Sequence, residues 1–121
     1  DRIEAVGGDF LKTPLPGDAD LVTLIRVLFD HPDRVVAPLL KAIRSAIAPD
    51  GALLIAEPVS ETPGGERIAD SYFGFYLLAM GEGQVRTKAH HTNLLHAAGF
   101  SKVRALSSRM PHLVRLIEAR P

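Results

Sequence analysis

The chain has 121 residues, 46% of them apolar, which is enough for one domain with a real core and is ordinary for a globular protein. Lys plus Arg balance Asp plus Glu at 14 each, so there is no electrostatic footprint for nucleic acid. Cysteine is absent, which excludes disulfides and thiolate metal sites. No apolar run approaches the roughly 20 residues that a membrane-spanning helix needs.

In chain order, Arg2 to Phe10 reads as a short strand closed by Gly7-Gly8-Asp9, and Thr13 to Asp18 as a turn-rich connection. Ala19 to Phe29 is a near-continuous apolar run between turn signals, the pattern of a buried strand with a helical turn at its end. Asp30-His31-Pro32-Asp33 punctuates the chain and opens a helix. Its apolar residues Val35, Leu39, Ile43 and Ile47 recur every four positions; Pro38 predicts a late start or a bend. Pro49-Asp50-Gly51 ends that helix, and Ala52 to Ala56 is a second buried strand ending in Glu57-Pro58. Strand, helix and strand thus follow at the spacing of a βαβ crossover. Ile68 to Met80 and Thr87 to Ala98 read as helices, the latter stopped by Gly99. Lys102 to Ser107 and His112 to Ala119 read as a hairpin of strands reversing at Met110-Pro111. The fold class is α/β, a mostly parallel sheet ending in an antiparallel hairpin.

Open α/β sheets place ligands beyond the carboxyl ends of their strands. His31 and Glu57 fall there, an imidazole that titrates near neutrality and an acid able to orient a base or polarise a hydroxyl. Phe73, Tyr76 and Met80 share one helical face and suit an apolar wall, although core packing is the commoner use of such residues. His90-His91 and His96 lack an i, i+4 pair with nearby acids, so no metal site is expected.

Several motifs, in order, resemble those of the S-adenosylmethionine-dependent small-molecule O-methyltransferases. They are Gly8-Asp9-Phe10, Leu28-Phe29-Asp30-His31-Pro32-Asp33, Ala48-Pro49-Asp50-Gly51, Leu54-Ile55-Ala56-Glu57-Pro58, Arg86-Thr87 and Ala97-Ala98-Gly99-Phe100. Phe29-Asp30-His31-Pro32-Asp33 and Ala79-Met80-Gly81 look most like the bacterial carotenoid hydroxyl methyltransferases of the hydroxyneurosporene type. The resemblance implies a class I, Rossmann-like methyltransferase sheet. Residues 1–121 would form the C-terminal part of the catalytic domain, downstream of a glycine-rich cofactor loop and of a dimerisation domain. It also implies S-adenosylmethionine as cofactor, contacted by Gly8, Asp9, Phe10 and Ile25, with His31 and Glu57 catalytic. Phe29, Asp30, Phe73, Tyr76 and Met80 would bind a hydroxylated small-molecule acceptor, an acyclic carotenoid or alternatively a phenol or polyketide. The protein would be a cytoplasmic homodimer, peripheral to a membrane where the acceptor is a carotenoid. Phe29 stands where the family has its catalytic His, and Val85 where it has an acid before Arg-Thr. These departures leave a third alternative, a degenerate domain that binds without catalysing.

Overall fold

The computed structural model describes residues 2–121. Its elements are β1 (Ala19–Ile25), a 3-10 turn (Leu28–Asp30), α1 (Asp33–Ala46), β2 (Ile47–Glu57), a π-helical stretch (Arg67–Tyr72) continuing into α2 (Phe73–Met80), α3 (Lys88–Ala97), β3 (Lys102–Leu106) and β4 (Arg115–Arg120). The four strands form one sheet in the order β1-β2-β4-β3. β1 and β2 are parallel and adjacent, as the strand–helix–strand spacing predicts. β4 lies antiparallel to both β2 and β3. Over these residues the sheet is therefore mixed, with one parallel and two antiparallel pairings.

α1 presents Val36, Leu39, Leu40 and Ile43 to the sheet, where they meet Ile47, Leu53, Ile55 and Ile117 in one buried cluster. Burial of each such side chain contributes about 1.5–3 kcal/mol before its ordering entropy is subtracted. Leu95 of α3 and the following Phe100 join the same cluster, so α1 and α3 cover one face together. Thr87 caps α3 by accepting the His90 amide, and Gly99 ends the segment at φ +99°, a backbone that favours glycine. A second, smaller cluster joins Phe29 to Phe73 and Leu77 of α2.

Four local expectations are corrected. Pro49-Asp50-Gly51 does not end the helix: α1 stops at Ala46, and β2 starts at Ile47 rather than Ala52. Arg2 to Phe10 is not a strand: residues 2–8 are exposed and pair with no strand among the described residues, and a lone extended segment has no ladder to hold it. Asp9 to Thr13 is a turn instead, with the Lys12 and Thr13 amides donating to the Asp9 carbonyl. α1 starts at Asp33 despite Pro38, whose ring only deletes the bond due to the Arg34 carbonyl; Pro32 supplies the carbonyl that the Val35 and Val36 amides need. The hairpin's second strand begins at Arg115 rather than His112, because the Leu113 and Val114 amides turn back to the Met110 carbonyl.

Candidate active site

The chain leaves β1 through Arg26, whose φ of +55° turns it sharply, and enters the 3-10 turn at Leu28. This turn and the residues after it, Leu28 to Asp33, sit beyond the carboxyl end of the parallel pair, where the sheet topology places a site. Three elements hold them.

The first is the end of β2. Glu57 is fully buried, and its Oε2 accepts the Phe29 amide at 3.3 Å. The second is the segment from Gly81 to Arg86. Gly83 lies so close to the turn that a Cβ there would come within 2.4 Å of the Phe29 carbonyl oxygen, and its φ of +103° again favours glycine. The Gln84 amide donates to that same carbonyl at 2.9 Å.

The third hold is Arg86, 1% exposed. Its guanidinium donates to the Leu28 and His31 carbonyls at 2.7 Å each and to Asp33 Oδ1 at 2.8 Å. The planar fork has the donors and the geometry for all three at once. Asp33 also accepts from the Gln84 side chain and pairs with His90 Nε2 at 2.7 Å. Partial burial opposes its ionisation, but the hydrogen bonds from Arg86 and His90 outweigh that and hold the carboxyl below the usual range.

Fastened in this way, the turn exposes a cleft of about 520 Å³ lined by Arg26, Phe29, Asp30, Tyr72, Phe73, Tyr76 and Leu113. Its size falls within the range of small-molecule sites. The Phe29 ring meets Phe73 edge-on at 6.0 Å and stacks on Tyr76 at 6.3 Å between centroids. The Arg26 guanidinium lies 5.2 Å from the centre of the Phe73 ring. Asp30 is the acid of the cleft. Burial, chiefly, pushes its carboxyl above the ordinary range; the neighbouring Glu57 adds to this, while His31 and Arg26 oppose it.

Of the residues expected from sequence, Phe29, Asp30, Phe73 and Tyr76 come together in the cleft. Met80, 65% exposed at the end of α2, is not among its lining residues. His31 is half-buried beside the cleft, its ring edge-on to Phe10 at 5.6 Å. Glu57 reaches His91 rather than His31: His91 Nε2 lies 3.1 Å from Glu57 Oε1, although the alignment is too poor for a hydrogen bond. Gly8, Phe10 and Thr13 to Pro16 edge a separate groove of about 200 Å³. Asp9, beside it, has its carboxyl exposed, accepting the Leu11 amide and paired with Lys12 at 3.2 Å, and it is held below the usual range chiefly by that amide. Ile25 is 65% exposed on the outer strand. Among the described residues no group of acids and histidines could hold a metal ion.

Sequence reasoning missed Arg26, Tyr72 and Leu113 as cleft residues, and Asp33, Gly83, Gln84, His90 and His91 as its supports. Arg86 entered only through the Arg-Thr motif. A lone arginine between Val85 and Thr87 is a weak signal, since nothing in sequence places the Leu28 and His31 carbonyls opposite it.

Residues 1–101 match the family model described as O-methyltransferase domain. The chain is 39% identical over 118 residues to demethylspheroidene O-methyltransferase of Rhodobacter capsulatus, covering 98% of this chain and 30% of that protein. It is 36% identical to acetylserotonin O-methyltransferase of Mus musculus, covering 92% of this chain and 28% of that one. Among solved structures it superposes on human N-acetylserotonin methyltransferase in complex with SAM, with a TM-score of 0.79 and 34% identity. That match covers 93% of this chain and 32% of that chain. The chain thus spans about a third or less of the length of these relatives. On the family match and on this ordered likeness of sequence and fold, the chain belongs to the O-methyltransferase domain family.

Proposed function

We propose that the full-length protein transfers a methyl group from S-adenosylmethionine to the hydroxyl of a small apolar acceptor, a tertiary hydroxyl of an acyclic carotenoid. The observation that carries this reading is the aromatic cleft beside Asp30 and His31 at the end of the parallel strand pair. Phe29, Tyr72, Phe73 and Tyr76 offer apolar faces to a polyene, and the bacterial relative acts, by its name, on demethylspheroidene. Acetylserotonin methyltransferases are similar to the chain as well, so an aromatic hydroxyl is the second acceptor class.

The residues at hand fit one end of the cofactor. Phe10 offers an apolar ring face and Asp9 an accepting carboxylate, which suit an adenine and its exocyclic amine, with Gly8 at the same groove and Ile25 exposed at the end of β1. A groove of about 200 Å³ is smaller than the roughly 300 Å³ at which pockets for whole ligands begin. The glycine-rich loop and the homodimer implied by the resemblance belong to this proposal too, with these residues as the C-terminal part of the catalytic domain. S-adenosylmethionine supplies an electrophilic methyl carbon on a sulfonium.

The chain's own residues then have three tasks. The cleft would hold the acceptor with its hydroxyl towards the methyl carbon that bound S-adenosylmethionine would supply. His31 takes the hydroxyl proton as the new bond forms. Glu57, buried and without access to the acceptor, acts through the Phe29 amide by fixing the turn. Asp30 is the rival proton acceptor, favoured by its place in the cleft lining and by the upward push on its carboxyl.

Calorimetry tests the cofactor part. S-adenosylmethionine should bind the full-length protein at least roughly 100-fold more tightly than these 121 residues, since the groove here accounts for one end of the molecule only. Equal affinities would contradict it.

A further inference from the structure

Glu57 is an acid in an unusual position: it closes β2 with no exposed surface, and only one of its oxygens has a hydrogen bond, from the Phe29 amide. The other faces His91 Nε2 at 3.1 Å. Among the described residues these two atoms are the buried side-chain polar atoms without a hydrogen bond. A carboxylate taken wholly out of water costs several kcal/mol unless a cation or a donor lies against it, and His91 is the group that the fold brings there. His91 is itself only 1% exposed.

The phase of α3 explains the arrangement. Thr87 caps the helix, and the two histidines that follow point different ways: His90 reaches Asp33, just beyond the turn, and His91 reaches Glu57 beneath it. One helical turn of α3 thus addresses both acids that border the Leu28–Asp33 segment.

We propose that His91 is a positioning residue of the site, holding the Glu57 side chain against the Phe29 amide and thereby fixing the turn that presents Asp30 to the cleft. The inference rests on the reading of the cleft as the acceptor site. It gives a function to a residue that never touches the acceptor. Of the other ionisable groups on these elements, Asp30 acts on Glu57 and Arg115 lies opposite it in the β4 register, while Arg26, His31, Arg86 and His90 border the turn. None of the three arginines is within ion-pair distance of Glu57; their acid partners, where they have one, lie elsewhere. Removing the imidazole therefore leaves the carboxylate unsupported. Without that neighbour the Glu57 side chain is free to turn away from the Phe29 amide.

The test uses the full-length protein with S-adenosylmethionine labelled in the methyl group and a hydroxylated acyclic carotenoid, with kcat and KM measured across pH for His91→Phe and His91→Gln. Nitrogen-15 spectra of the histidine rings are recorded for the unaltered protein and for Glu57→Gln. We expect His91→Phe to lower kcat by roughly 10-fold or more with the cofactor KM within about twofold. His91→Gln, which keeps a donor, should recover half or more of the lost rate on a logarithmic scale. It also serves as the decisive variant if the phenylalanine form fails to fold. The His91 ring signals should move in Glu57→Gln. A folded His91→Phe with normal kcat overturns the proposal, as does a His91→Gln that recovers nothing of the lost rate. If the unaltered protein transfers no methyl, the cleft reading fails first. The ring spectrum then decides the pair by itself, and signals that ignore Glu57→Gln overturn it.

Discussion

Arg86→Met is expected to lower folding stability by about 3–5 kcal/mol, the range found when one partner of a buried, fully hydrogen-bonded charge is removed. The substitution keeps most of the side chain's volume and deletes every donor. The Leu28 and His31 carbonyls lose their partners in a buried setting, and Asp33 keeps only Gln84 and His90. Folded domains have a total stability of only about 5–15 kcal/mol, so a loss of this size is a large share. Arg86→Lys retains the charge but not the fork and should recover less than half of the loss, because one ammonium cannot reach two carbonyls and a carboxylate in this spread. Urea denaturation of the three proteins checks both values. A change below about 1 kcal/mol for Arg86→Met would mean that the turn is held by β2 and Gly83 without it.

His31→Ala is expected to lower turnover by roughly 100-fold or more while cofactor affinity stays nearly unchanged, as follows for the loss of a general base that contacts the reacting hydroxyl. A tertiary alcohol is a much weaker acid than a phenol. Full deprotonation before attack is therefore unfavourable, and proton removal must accompany bond formation. Loss of the base then acts on the chemical step itself. Single-turnover methylation with a hydroxylated carotenoid measures that step. The comparison with Asp30→Asn is informative, since Asp30 lines the cleft and His31 stands beside it against Phe10. Near-normal turnover in His31→Ala, with a loss of that size in Asp30→Asn, would transfer the role of base to the carboxylate.

Those parts of the fold that rest on local pattern were legible in the sequence. The four-residue recurrence from Val35 gave α1 but ran one residue too far, since Ile47 already belongs to β2, and the apolar runs around Leu24 and Leu53 gave a parallel pair with the right neighbours. Gly99 and Met110-Pro111 marked true ends and reversals. Arg2 to Phe10 failed because a strand is defined by a partner, and the hydrophobic alternation of one segment says nothing about whether that partner is in place. The site was legible where it is local. Phe29 and Asp30 follow a strand, and Phe73 and Tyr76 share a helical face.

What stayed hidden was everything set by contacts distant in sequence. Arg86 lies 53 to 58 residues from the groups it holds. Gly83 reads as an ordinary loop glycine until the Phe29 carbonyl is seen against it. His91 looked like half of a featureless His-His pair, since only the cap at Thr87 fixes which histidine points inward. The sequence left open which base Glu57 orients for the same reason: β2 aims its last side chain under the turn, towards His91 of α3.

The most direct measurement of the central claim is the transfer of a labelled methyl group by the full-length protein, from S-adenosylmethionine to three acceptors offered in competition. These are a hydroxylated acyclic carotenoid, a simple phenol and N-acetylserotonin. A cleft walled by Phe29, Tyr72, Phe73 and Tyr76 beside His31 and Asp30 predicts a labelled methyl ether at the carotenoid hydroxyl, formed in preference to the other two. Label on the phenol or on N-acetylserotonin with none on the carotenoid would contradict the acceptor assignment, and no label on any of the three would contradict the activity.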